Sequence, residues 1–291
     1  MLEALIPLIP QFLWATNFVV SKVVISKGLN GLVLTALRWT VAGSLLYAYA
    51  RLRGLRIVLS KELVIPSITG ITGFSALIYL GLTFSKASVV GLSMALIPIF
   101  TSLLARVFLK ERLSPLLLAS LAFGSAGVTL LTLGGLRGLS WLGAVLGSLA
   151  ALDWAVYTVS SKKAMLELSP LESLTSNAIM AQPVNWAVAL PLFSLNPLKD
   201  PEVLAGLMYV SLVPGFLAYF LWLYSVKLVG AARAGVYINA LPLLTLLLAS
   251  LTLKEGLDPL QAAGAVLILM AIVLVTVDYL KRLSTSYPSK G

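Results

Sequence analysis

Apolar residues in this chain come in long runs broken by short polar clusters, without strand alternation. The runs predict helices over residues 5–26, 31–51, 63–84, 88–109, 115–134, 140–162, 170–194, 202–228, 231–253 and 259–280. About 20 apolar residues cross ~30 Å of hydrocarbon. In lipid, a helix satisfies its own backbone hydrogen bonds, so runs of this length are read as spans. Connections of roughly half a dozen residues leave no soluble domain over. The first run follows Met1-Leu2-Glu3, with no basic n-region and no small-residue cleavage site, so it is read as a retained helix. The expected fold is an all-α integral membrane protein of ten transmembrane helices with a short polar tail from Lys281.

Two passages recur. Trp14-Ala15-Thr16-Asn17-Phe18-Val19-Val20-Ser21-Lys22 lines up with Trp154-Ala155-Val156-Tyr157-Thr158-Val159-Ser160-Ser161-Lys162, sharing Trp, Ala, Val, Ser and Lys in register. Gly91 to Pro115 lines up with Gly235 to Pro259, matching Pro98 with Pro242, Thr101 with Thr245, Lys110-Glu111 with Lys254-Glu255, and Pro115 with Pro259. Greasy sequence yields chance leucine matches, but not two prolines and a Lys-Glu pair in register. The chain therefore reads as two five-helix repeats, residues 1–138 and 139–291. Five is odd, so the second repeat enters the membrane inverted. Such a pair has a pseudo-twofold axis in the membrane plane, a geometry suited to alternating access.

Composition strengthens this picture and removes several chemistries. Hydrophobic residues make up 59% of the 291 residues and charged residues 11%; mean hydropathy is +0.99. A soluble domain is about half apolar and about a quarter charged. With neither Cys nor His, the chain has no disulfides, thiol chemistry, His-ligated zinc or Ser-His hydrolase machinery. No GxGD motif surrounds any aspartate, and there is neither a GxxxxGK[ST] loop nor a strand-anchored GxGxxG. An enzyme, an ATP-driven pump and a resident cofactor are accordingly not expected. The net charge of +10 follows from topology. With the N-terminus inside, about two thirds of the Lys and Arg side chains fall on the cytoplasmic side, including Arg51, Arg53, Lys110, Lys162, Lys163, Lys227 and Lys281. Both termini of a multi-pass cell-membrane protein are then cytoplasmic, and no nucleic-acid partner is needed.

Candidate chemistry lies inside the runs. Pro98 and Pro242 occupy matching places in the fourth and ninth runs, and paired interrupted helices mark transport sites. Asp153 falls within the sixth run, where a carboxylate costs about 2.5–3.5 kcal/mol near the bilayer centre. It would bind a cationic group or carry a coupling proton, or else be a structural carboxylate paired with Arg38 or a lysine. Arg38 would hold an anionic substrate group, pair internally or snorkel. Trp14, Asn17, Tyr79, Trp154, Tyr157, Asn177, Gln182, Asn185, Tyr219, Trp222, Tyr237 and Asn239 supply aromatic and amide groups for an amphiphilic solute or for packing, with Trp14, Trp154, Tyr237 and Asn239 at mid-helix positions. Gly70–Gly73, Gly124–Gly127 and Ala262–Gly264 are read as close-packing seams.

The passage from Trp14-Ala15-Thr16-Asn17-Phe18 to Lys22, the Leu37-Arg38-Trp39 triplet, and the segments Pro98 to Glu111 and Pro242 to Glu255 resemble, in order and spacing, the EamA-type transporters of the drug/metabolite transporter superfamily. The resemblance covers nearly the whole chain. The second half departs from the first, with Asp153-Trp154 for Leu13-Trp14 and Tyr157 for Asn17. The resemblance implies ten helices, a cavity between the halves and transport of small metabolites. The superfamily includes exporters of amino acids, nucleosides, sugars and drugs, so the solute stays open. The expected function is a secondary transporter exporting small metabolites such as amino acids at a midplane site lined by the residues above. Its partners are a small-molecule substrate and the lipid bilayer, with coupling to protons through Asp153 or to nothing. A lipid or amphiphile flippase, or a drug exporter of the same architecture, is the alternative.

Overall fold

The computed structural model describes residues 2–84, 93–133, 141–253 and 259–286. Gly91 and the Lys254-Glu255 pair of the recurring segment lie outside the described residues. Among the described residues there is no strand. The helices are α1 (Leu8–Ser26), α2 (Gly31–Leu52), α3 (Val64–Ser67), α4 (Gly73–Phe84), α5 (Ile97–Phe108) and α6 (Pro115–Leu133). They continue as α7 (Trp141–Ala164), α8 (Pro170–Ala189), α9 (Pro201–Val210), α10 (Ala218–Val229), α11 (Ala231–Tyr237), α12 (Ala240–Leu253) and α13 (Pro259–Ser286). Seven segments among the described residues are long and apolar enough to cross a membrane, and Met94–Phe108 is a shorter apolar helix.

Local signals set several helix ends. Asn30 caps α2 by accepting from the Leu32 N–H at 2.9 Å, and Asp200 caps α9 by accepting from the Glu202 N–H at 2.8 Å. Ser169 and Glu172 form a reciprocal capping box before α8, with Pro170 in its first turn. Gly54 closes α2 at φ 63°, a conformation glycine adopts without a Cβ penalty.

Three predicted runs are interrupted. The third breaks between α3 and α4, where Thr69 is extended (ψ 160°) and Gly70 has φ 64°. The eighth widens into a π-turn, Ser211–Leu217, around the interior Pro214 between α9 and α10. The ninth stops at Ile238–Asn239 and restarts as α12. Pro98 and Pro242 sit in the first turns of α5 and α12. This corrects their expected mid-helix position. First-turn N–H groups have no intrahelical acceptor, so proline there starts a helix without losing a bond.

The helices form a bundle whose pairings follow their small residues. α6 and α13 make the most extensive pairing. A Cβ at Gly127 would lie 2.8 Å from the Gly264 carbonyl oxygen, and one at Gly264 would lie 2.6 Å from that of Gly127. Other large pairings are α2 with α8, α4 with α7, α5 with α7, and α1 with α9 and α12. Large apolar side chains cover the outside: Val107, Phe108, Leu118, Val266, Leu269 and Val273 are all exposed. An apolar exterior of this extent is costly in water and matches a hydrocarbon surround.

Candidate functional site

Where α1, α7 and α10 meet, the aromatic residues form one buried cluster. The Trp14 and Trp154 rings pack edge to face with centroids 5.2 Å apart. Tyr219 packs on both at 5.6 and 5.5 Å, and Trp222 on both at 5.8 and 5.9 Å. Tyr157 lies 5.3 Å from Trp154, Phe74 4.8 Å from Trp154, and Trp39 4.8 Å from Tyr219. Each well-oriented ring pair adds about 0.5–1.5 kcal/mol beyond area burial. The rings fill the centre of the bundle, and Trp14 is the most exposed of the three tryptophans Trp14, Trp39 and Trp154 at only 8%.

The cluster is built on two of the helix interruptions. Asp153 on α7 accepts the Gly70 N–H at 2.7 Å and a further bond from the Phe74 backbone. Tyr219 donates to the Gly70 carbonyl at 2.8 Å. On the other side, the Trp14 indole N–H donates to the Pro214 carbonyl at 3.1 Å. An interrupted helix in lipid leaves backbone groups that must find partners or line a cavity, and these side chains supply partners. Among the described residues Asp153 has no cationic partner; backbone N–H groups take the place foreseen for Arg38 or a lysine. Glycine is required at the break, because a Cβ at Gly70 would lie 2.2 Å from Tyr157 Cγ.

Arg38 on α2 is 5% exposed, with its guanidinium 5.6 Å from the Trp39 ring and 6.0 Å from the Tyr219 ring. Its Nε has no hydrogen-bond partner among the described residues, and neither do the buried indole nitrogens of Trp39, Trp154 and Trp222. All four are groups that only donate.

The remaining candidates are spread out. Asn17, on the next turn of α1 after Trp14, is half-buried and accepts from Ser21 Oγ at 3.2 Å. Pro98 lies against α11, where a Cβ at Gly235 would be 3.5 Å from Pro98 Cα. The Tyr237 and Thr276 hydroxyls bond at 2.8 Å. Asn239 is buried, with its side-chain amide against Gly124 of α6. Thus Trp14, Arg38, Asp153, Trp154 and Tyr157 come together, whereas Tyr237, Asn239, Pro98 and Pro242 belong to the α5–α11–α12–α13 side of the bundle.

Two devices escape sequence reading. Arg233 on α11 and Asp278 on α13 form a buried ion pair at 2.7 Å, and Ser114 also donates to Asp278. Both side chains are at most 7% exposed. Asp278 stands just before Lys281-Arg282, so its sequence context is that of a solvated helix end. Glu111 accepts from the Ala231 and Ala232 N–H groups at 2.9 and 3.1 Å, capping α11 from the end of α5. Lys110 makes the preceding turn at φ 55°. A long-range cap of this kind has no local signal.

Comparison with known proteins agrees with this architecture. A model of the EamA-like transporter family matches twice, over residues 1–133 and 141–277. An uncharacterized transporter from Archaeoglobus fulgidus is 25% identical across 90% of this chain and 94% of its own length. A probable terminal-alkyne amino-acid exporter from Streptantibioticus cattleyicolor is 27% identical across 90% of this chain and 89% of its own. A solved crystal structure, 22% identical and covering 97% of this chain and 98% of its own, superposes with a TM-score of 0.82 and so shares the fold. The chain belongs to the EamA-like transporter family.

Proposed function

We propose that this protein is a secondary transporter exporting small metabolites by alternating access, with its site at the aromatic cluster. The reading takes the chain as ten transmembrane helices in two inverted repeats, residues 1–138 and 139–291, with both termini cytoplasmic. The observation that carries it is reciprocal bracing across the halves. Asp153 of the second half holds the interruption at Gly70 in the first. Trp14 of the first holds the interruption at Pro214 in the second. Interrupted helices at corresponding places in inverted repeats are where transporters place their solute, and rocking one half against the other exposes it alternately. The twofold match of the family model supports the duplication. So do the pairings: α1 against α12 and α5 against α7 exchange when the halves are exchanged.

The proposed site comprises Trp14, Arg38, Asp153, Trp154 and Tyr157. Asn17, Pro98, Tyr237, Asn239 and Pro242 then lie on surfaces that move with it. The amino-acid exporter among the relatives makes amino acids the first solutes to try. The test is thermal stabilisation of purified protein by amino acids, nucleosides, sugars, amines and lipids, followed by counterflow in liposomes. A specific ligand raises apparent stability by mass action. A soluble solute that stabilises the protein, exchanges across liposomes and loses both effects in Trp14→Ala is the expected result. A shift with lipid or detergent-like amphiphile alone would replace the exporter reading with flipping.

A further inference from the structure

The C-terminal ends of α5, α7, α10 and α13 converge around a cleft of about 520 Å³. Lys110, Lys162, Lys163, Lys227 and Arg282 line it; among the described lining residues Glu111 is the one carboxylate, and Glu62 lies within electrostatic reach of Lys163. The Glu111 carboxylate is already taken up by the Ala231 and Ala232 N–H groups. Lys162 donates to the Val226 and Lys227 carbonyls at 3.0 and 2.9 Å, which anchors its ammonium without neutralising it. The cleft therefore carries an excess of positive charge and repels cations. Its low-dielectric walls concentrate that field on whatever enters.

From the cleft, two helices lead inward to the rings. On α7 the order is Lys162, Tyr157, Trp154; on α10 it is Lys227, Trp222, Tyr219. On each helix the lysine stands about 7.5 Å along the axis from the nearest of these rings, at about 1.5 Å rise per residue. Beyond Tyr219 stands Arg38. The unmatched buried groups here are Arg38 Nε, the indole nitrogens of Trp39, Trp154 and Trp222, and the Tyr157 hydroxyl; all but the hydroxyl can only donate. The Asp153 carboxylate, which could have drawn an ammonium, faces backbone N–H groups. Buried donors without acceptors are costly, so the site is short of acceptor atoms.

We infer that the solute carries an anionic oxygen group, a carboxylate or phosphate on a partly apolar body. The basic cleft is its point of entry, and its inner seat is Arg38, beside Trp39 and Tyr219, with the aromatic cluster that packs on Tyr219. The guanidinium fork and indole N–H groups supply donors to the oxygens, and the ring faces pack the apolar body. This rests on the transporter reading, which it narrows.

The test uses the full chain in nanodiscs of neutral lipid, with binding followed by thermal shift. The probes are pairs of equal shape, aliphatic and aromatic carboxylates and amino acids against their amides, together with organic phosphates. Carboxylates or phosphates should bind, the amides should not, and added salt should weaken binding through the screened cleft. Arg38→Gln should lower affinity about thirtyfold or more, as expected on truncating one partner of a buried charge pair, with Arg38→Lys retaining part of it. Lys163→Gln with Arg282→Gln alters only exposed cleft residues, so it tests the entry point even if Arg38 variants fail to fold. This pair should reduce both affinity and its salt dependence. Equal binding of acids and amides would overturn the inference while leaving transport intact. Stabilisation by anionic lipid with no soluble anion bound would also overturn it, by making the cleft a headgroup site. A bound carboxylate that never exchanges across liposomes would instead remove the transporter reading and leave the anion site standing.

Discussion

Asp153 reaches from α7 across the interruption in the third run and takes the Gly70 N–H at 2.7 Å. It takes Phe74 with its remaining capacity, so one side chain satisfies both edges of the break. Asp153→Ala should lower stability by about 1–3 kcal/mol, the cost of leaving a buried donor unmatched. Asp153→Asn keeps one acceptor oxygen and should lose less. If bracing is its role, the Asn variant transports with an unchanged pH profile. A flattened profile would make Asp153 the coupling carboxylate instead. Thermal melting and liposome flux on the same preparations distinguish the two.

Gly70→Ala meets two penalties. The backbone is at φ 64°, and the new Cβ would lie 2.2 Å from Tyr157 Cγ. Overpacking of this kind costs about 1–3 kcal/mol, to which the strain of a non-glycine residue at positive φ adds about 1–3 kcal/mol. The double variant Gly70→Ala with Tyr157→Ala removes the ring clash but keeps the Tyr157 Cβ, 2.7 Å from the new one, so it should recover only part of the steric share and leave the backbone share. Melting temperatures in detergent provide the measure. Full recovery would show that φ at this position does not matter.

At the α6–α13 crossing, Gly127 and Gly264 place each backbone against the other's carbonyl. Gly264→Leu should force these helices apart and lower melting strongly. Gly43→Ala offers the control, since its Cβ would meet only ordinary contacts at 3.7 Å. That variant should be nearly neutral.

Outside the bundle, Lys27 bonds to Asp200 at 2.8 Å and to Glu202 at 2.5 Å, joining the α1–α2 connection to the start of α9. The Asp200 hydrogen bond, with Glu202, raises the Lys27 pKa above its ordinary value, and the Lys27 bond lowers that of Asp200. The Asp200 contribution is present above the usual carboxylate range and is lost as pH falls through its depressed value. The Lys27 contribution is present below its ordinary value and is lost as pH rises through the raised one. The clasp is exposed and screened. Lys27→Gln should therefore flatten the acid limb of the melting profile slightly and leave neutral-pH melting nearly unchanged.

How much of this was legible follows from the range of each interaction. Helix positions follow from runs of apolar residues, a local property, and the described helices fall close to the predicted runs. The interruptions were less readable. Pro98 and Pro242 pointed to them but only start helices, while the interior Pro214 and the glycine at 70 make the sharper departures. Trp14, Trp154 and Tyr157 were legible as a group because the recurring passages mark them. Their meeting with Trp39 and Tyr219 depends on helix crossings that sequence does not state. The backbone partners of Asp153 and Glu111 are 83 and 120 positions away in the chain, so composition and spacing could not reveal them.

The buried pair of Arg233 and Asp278 gives the sharpest stability test. Both side chains are nearly sealed, their Nε and Oδ2 atoms are 2.7 Å apart, and Ser114 supplies a second donor to the carboxylate. Removing one member strands a charge in a low-dielectric interior, which costs about 3–5 kcal/mol. Asp278→Leu and Arg233→Met should each lower melting by that order. Replacing both, Arg233→Met with Asp278→Leu, removes the stranded charge. It should restore much of the loss, because well-packed apolar residues of similar volume often match a buried ion pair. A double variant as unstable as the sum of the singles would mean that Ser114 and the neighbouring helix ends, rather than the ion pair, set the stability of the α11–α13 contact.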